Sequence, residues 1–133
     1  MDYNKINISK IETFLNSKFD NVVSNNTFFG GKRPEKSEIP TDWDDMVFVD
    51  IPNGISDMDA YGSGSIFVYL CARPLSSGRK NVPVLSNLET KLNDVIQNNT
   101  DSTYYIKRRL NASGYDTKIG WHYNVVELVI TVF

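Results

Sequence analysis

The sequence predicts an α+β domain, a mainly antiparallel four-stranded sheet packed by two helices. Three observations carry this: two apolar stripes at helical spacing, four runs rich in β-branched and aromatic residues, and Gly, Pro and Asn clusters between them. Their order is helix, strand, strand, helix, strand, strand, without an internal repeat, and 133 residues suit one domain spanning 1–133.

The first helix is expected over about 9–19. Ser9-Lys10-Ile11-Glu12 has the form of a capping box, with the Ser9 hydroxyl accepting from an early backbone N–H and Glu12 reaching back. Ile11, Phe14, Leu15 and Phe19 then recur on one face. Residues 20–45 read as a long loop or arm, interrupted by Gly30-Gly31, Pro34 and Pro40, whose alternating charges are not expected to pack. Met46 to Ile51 is the first strand, stopped by Pro52-Asn53-Gly54. Gly62 to Ser65 reads as a flexible entry into the second, Ile66 to Ala72. Pro83 opens the second helix, striped by Val84, Leu85, Leu88, Leu92, Val95 and Ile96. Thr103 to Arg109 is the third strand, Asn111 to Gly120 a turn-rich connection, and Trp121 to Phe133 the last strand.

Ile66 to Ala72 is apolar at both parities, and Val125 to Phe133 is nearly so. An antiparallel strand with one wet face should alternate. Two helices cover one face, so the remainder is expected to be covered from outside the chain, most simply by copies of itself.

A net charge of −2 argues against a free-standing nucleic-acid binder. No run approaches the roughly 20 apolar residues of a membrane-spanning helix, so no membrane partner is expected. The first residues have early charges and no apolar signal-peptide core. A single cysteine, Cys71, excludes an internal disulfide and fits a reducing cytosol.

Chemical sites are weakly written. Ser76-Ser77-Gly78-Arg79-Lys80 joins a strand to a helix, yet it lacks the first glycine of a phosphate loop and a Ser or Thr after Lys80. His122, the only histidine, sits between Trp121 and Tyr123 at a strand start and reads as a polar rim residue. Cys71 reads as a small core residue. Asp42, Asp44, Asp45 and Asn53, Asp57, Asp59 lack the calcium-loop spacing. Lys107-Arg108-Arg109 after Tyr104-Tyr105 has the look of a nucleic-acid patch, but alternation puts Lys107 and Arg109 on one face and Arg108 on the other, so the basic face is narrow. The chain is therefore read as a non-enzyme without cofactor or metal.

Charge is unevenly spread. From Ser37 to Ala72 there is no Lys or Arg among seven acidic residues, whereas Arg73 to Arg109 carries Arg73, Arg79, Lys80, Lys91, Lys107, Arg108 and Arg109. Either two sets of loops are solvated, or identical subunits meet head to tail. On the second reading the interface residues are Asp57, Asp59, Arg73, Arg79, Lys80, Lys107, Arg109 and Trp121. Loops 52–65, 73–83 and 110–120 are expected to touch neighbouring rings or proteins.

Phe48 to Asp57, Lys80 to Ser86 and Tyr115 to Leu128 carry a family likeness over about residues 45–133. There the chain resembles phage tail-terminator and tail-completion proteins, most closely the small neck or tail ring proteins of crAss-like Bacteroides phages. The resemblance implies a virion structural protein made in the host cytoplasm, forming a ring of six or twelve copies at the head–tail junction. It implies adjacent portal, connector or tail proteins as partners, DNA passing the lumen without base-specific readout, and no catalytic residues. Residues 20–45 exceed a minimal terminator and read as an arm toward a neighbouring subunit. The alternative is a small cytosolic α+β protein-binding module without catalytic activity.

Overall fold

A computed structural model describes residues 6–20, 22–23, 27–28, 33–52, 54–58 and 61–133. Helix α1 spans Ile8–Phe19, β1 Thr27–Phe28, β2 Asp45–Asp50, β3 Ser56–Asp57 and β4 Gly62–Ala72. Helix α2 then spans Val82–Gln97, β5 Tyr104–Asp116 and β6 Trp121–Val132, and a single 3-10 turn at Lys36–Glu38 precedes β2. The sheet runs β1-β2-β4-β6-β5, with β3 also on β4, and every pairing except the parallel β1–β2 is antiparallel. The α+β architecture with two helices is as expected; the two short strands β1 and β3 add to the four predicted.

Both helices form where their stripes lie. The cap of helix α1 lies two residues earlier than the capping box implied: Asn7 is the cap, its side chain accepting from the Lys10 N–H at 3.3 Å, and Ser9 lies inside the first turn. Asn81 caps α2 in the same way, with Pro83 in the first turn, where its missing N–H costs nothing. Ile11, Leu15 and Phe19 of α1 and Leu88 and Leu92 of α2 press on one sheet face, against Val47, Val49, Ile66, Val68, Leu70, Val126, Leu128 and Ile130.

Two strand boundaries differ markedly from expectation. Gly62 to Ser65 is not a flexible entry but the start of β4, paired to both β3 and β6. The glycines are required there: a Cβ on Gly64 would collide with the Gly54 carbonyl, and one on Gly62 would lie 2.9 Å from Ile55. Leu110 to Asp116 is strand rather than connection, because β6 offers a paired partner residue by residue down to Trp121. A bulge at Arg109, which has no register partner, absorbs one extra residue. Only Thr117 to Gly120 is left to turn, with Gly120 at φ 74°.

The second sheet face is half covered, and by the chain itself. Ile39 and Trp43 lie over Met46, Phe48, Cys71 and Trp121, with Ile119 of the hairpin turn beside them. Pro34 is buried and Arg33 pairs with Asp116, so the described part of the predicted arm packs on its own sheet. Outside cover is therefore not needed at this end. Beyond β6, Phe133 N donates to Thr103 O at 2.8 Å.

Candidate functional site

Register decides which side chains share the second face. Phe48 stands opposite Tyr69, Asp50 opposite Phe67, and Cys71 opposite Tyr123. Because successive side chains alternate, Phe48 and Asp50 of β2, Tyr69 of β4 and Tyr123 of β6 all project to the same side. Phe48 and Tyr69 stack, centroids 4.2 Å apart and planes 7° from parallel, and Tyr69 meets Tyr123 edge-on at 5.5 Å. These rings floor a cleft of about 870 Å³, within the usual range for small-ligand sites.

Its walls are the segment Arg33 to Lys36 on one side and the β5–β6 turn on the other. Asp116 fixes that turn: one carboxylate oxygen accepts from the N–H groups of Lys118 (3.0 Å) and Ile119 (3.4 Å), and the other takes the Arg33 guanidinium. Arg33 and Asp116 are thus spent on each other. Asp50 is half-buried beside the rings, and among the described residues no cation or N–H pairs with its carboxylate. Burial pushes the Tyr69 phenol above its ordinary value, and the negative charge of Asp50 adds to the rise, followed by smaller effects of Tyr123 and Cys71.

The other half of this face lies open. Glu127 is nearly buried at its centre, held by Arg109 at 3.5 Å and by the Ser65 hydroxyl at 3.3 Å. Around it are half-buried Phe67, Val125 and Val129 and the exposed Tyr105 and Leu110, 56% and 61% accessible. Strand β5 is the sheet's edge.

The residues expected at an interface are scattered. Trp121 is 3% exposed and lies beneath the Arg73 guanidinium, 4.8 Å from its ring centroid. Arg73 also donates to Trp43 O at 2.7 Å and Pro40 O at 3.1 Å. Both therefore clamp residues 40–44 to the sheet, chain segments distant in sequence closing over them. Lys107 and Arg109 share the open face, and Arg108 turns to the helix side, near Asn93 and Glu89. Asp57 on β3 lies at the opposite end of β4 from Arg79 and Lys80. Asp59 lies outside the described residues.

Chemically reactive groups are muted. The loop 75–79 closes on itself, Gly78 N donating to Leu75 O and Leu75 N to Arg79 O, so these N–H groups do not face a phosphate. Burial drives the Cys71 thiol well above its ordinary value. His122 is half-buried on the helix side beside Tyr115, its Nδ1 unpartnered. No group of three or more His, Cys, Asp or Glu among the described residues is placed to hold a metal, and no described helix is long and apolar enough to cross a membrane.

The aromatic cleft went unnoticed in the sequence. Its signal was present as Phe48-x-Asp50 and Tyr69, but only the pairing register puts them together. Neither a protein-family model nor a curated protein matches the chain.

Proposed function

We propose that the chain is a structural ring subunit of a phage neck or tail, its copies joining around the DNA exit channel at the head–tail junction. The observation that carries this reading is the open half of the second sheet face, where Tyr105 and Leu110 stand exposed beside Phe67, Val125 and Val129 on an edge strand. A sheet that is apolar on both faces gains by burying the second one, and about 25 cal/mol per Å2 over a standard interface of roughly 1,600 Å2 leaves a surplus after association costs. The resemblance to tail-terminator proteins read in residues 45–133 is what points this proposal to a phage ring rather than another assembly. Asp57 at one end of β4 and Arg79 and Lys80 at the other suit head-to-tail contact. Portal, connector or tail proteins would flank the ring, and the lumen would pass DNA without reading bases.

Light scattering after size exclusion, with negative-stain microscopy, tests this. Rings of six or twelve copies are expected, and Leu110→Glu combined with Tyr105→Glu should reduce them to monomers with an unchanged thermal melt. A stable monomer at tens of micromolar, with no ring in micrographs, overturns the reading. That outcome would favour the second one, a monomeric protein-binding module, for which the aromatic cleft speaks.

A further inference from the structure

We propose that the cleft on the second sheet face is a binding site for an organic cation, a guanidinium or alkylammonium group seated against Tyr69 and Tyr123 with Asp50 as its counter-charge. This inference does not rest on the ring reading.

The floor of the cleft determines what a ligand meets. It is built of side chains on β2, β4 and β6, whose backbone N–H groups are engaged in the sheet ladder. Backbone donors for an anion are thus lacking at the centre. What remains is the exposed ring surface of Tyr69 and Tyr123, with Phe48 stacked on Tyr69 and packed beneath, two phenol oxygens and one carboxylate. Aromatic faces carry negative quadrupole density and attract cations, most strongly where water is thinned out. Asp50 supplies full negative charge on the same face, one alternation along β2 from Phe48, and the Arg33 guanidinium on the cleft wall is paired with Asp116.

The rim is mixed in sign, with exposed Glu35 beside Lys36. Lys36 and Lys118 line the mouth on exposed positions, where water and salt weaken their field, whereas Asp50 and Tyr69 are half-buried. A cation crosses a weak barrier at the mouth to reach a stronger well at the floor. A guanidinium also fits in shape, since it is planar, lightly hydrated and stacks on rings while donating to a carboxylate. The Tyr69 phenol is raised first by burial and then by the Asp50 charge, in agreement with the half-buried carboxylate on this face.

The group could come from a free small molecule or from a basic side chain of another copy, and the two sources share this chemistry. Titration of the full-length protein with methylguanidinium and with tetramethylammonium, followed by tyrosine and tryptophan fluorescence and by NMR shifts, reads the site directly. Saturable binding is expected, with shifts centred on Tyr69 and Tyr123. Asp50→Asn should weaken it about tenfold while leaving the thermal melt unchanged, and Asp94→Asn, on α2 across the sheet, should leave it unchanged. A second arm measures self-association. If Asp50→Asn lowers it, and methylguanidinium competes with it, the cation is supplied by another copy; if neither acts, the ligand is free. Equal affinity in wild type and Asp50→Asn, or inorganic phosphate binding more tightly than methylguanidinium, overturns the proposal. Absence of any saturable cation binding overturns it as well, whatever the oligomeric state.

Discussion

Glu127 occupies a position on the open face where neighbours Phe67, Val125, Val129 and Leu110 are all apolar. Its carboxylate is kept there by Arg109 and the Ser65 hydroxyl. The bulge explains the pairing: with Arg109 unmatched in the ladder, its side chain can swing over β6 while Leu110 takes the register position opposite Glu127. Removing one partner of such a pair costs more than the pair itself contributes, because the remaining charge loses its compensation. The Arg109 side chain is mostly solvent-exposed, so screening limits the effect. Arg109→Met is expected to lower stability by about 1 kcal/mol, and Glu127→Leu in that background to restore it. Urea denaturation of the two variants measures both, and an unchanged midpoint in Arg109→Met would show the pair to be inert.

The two long hairpin strands illustrate how an element is made by its partner. Asn111 to Gly114 has poor strand propensity, yet β6 pairs with it throughout. The Asp116 turn then sets the register, through two N–H groups and Arg33. Asp116→Ala should cost about 2–3 kcal/mol, since it leaves the turn N–H groups and the guanidinium without their acceptor. Because the same turn walls the cleft, its loss should also weaken cation binding. At the other end of β4, the close approach of Gly64 to Gly54 predicts that Gly64→Ala costs about 2–4 kcal/mol. Gly78→Ala, in open space at φ 83°, should cost only about 1 kcal/mol. Thermal melts of the pair provide the comparison, and equal losses would refute the steric explanation.

The domain as a whole carries phenols that fold into less watery places. Tyr69 and Tyr104 both titrate above their ordinary 10.0, burial being the first cause in each, with Asp50 and Asp101 respectively next. In the unfolded chain these phenols release protons near 10, while in the native state they hold them longer. Native protein therefore binds more protons in that window, so this contribution to stability is complete below pH 10 and declines as pH rises through the native values. Cys71 acts in the same direction from its ordinary 9.0. Denaturation at about pH 9 and pH 11 should show the decline, and Tyr69→Phe with Tyr104→Phe should shrink it. An identical pH slope in the double variant would count against the assignment.

Helices α1 and α2 and the cores of four strands were legible from residue order alone. Helical stripes and β-branched runs are local signals, read within one or two turns or one strand. The buried state of Cys71 and the opposite faces of Arg108 and Arg109 follow from the same alternation. What residue order left open depends on contacts between distant segments. Arg73 and Trp121 look like a surface cation and a rim aromatic until residues 40–44 close over them. The paired strand Leu110 to Asp116 looks like loop until β6 lies beside it. Asp50 looks like one more acidic residue, near the end of a short strand, until register sets it beside Phe48, Tyr69 and Tyr123. Local preference is encoded in a few neighbouring residues, whereas register and face cover are settled by the packing of the whole chain, and the cleft exists only through the latter.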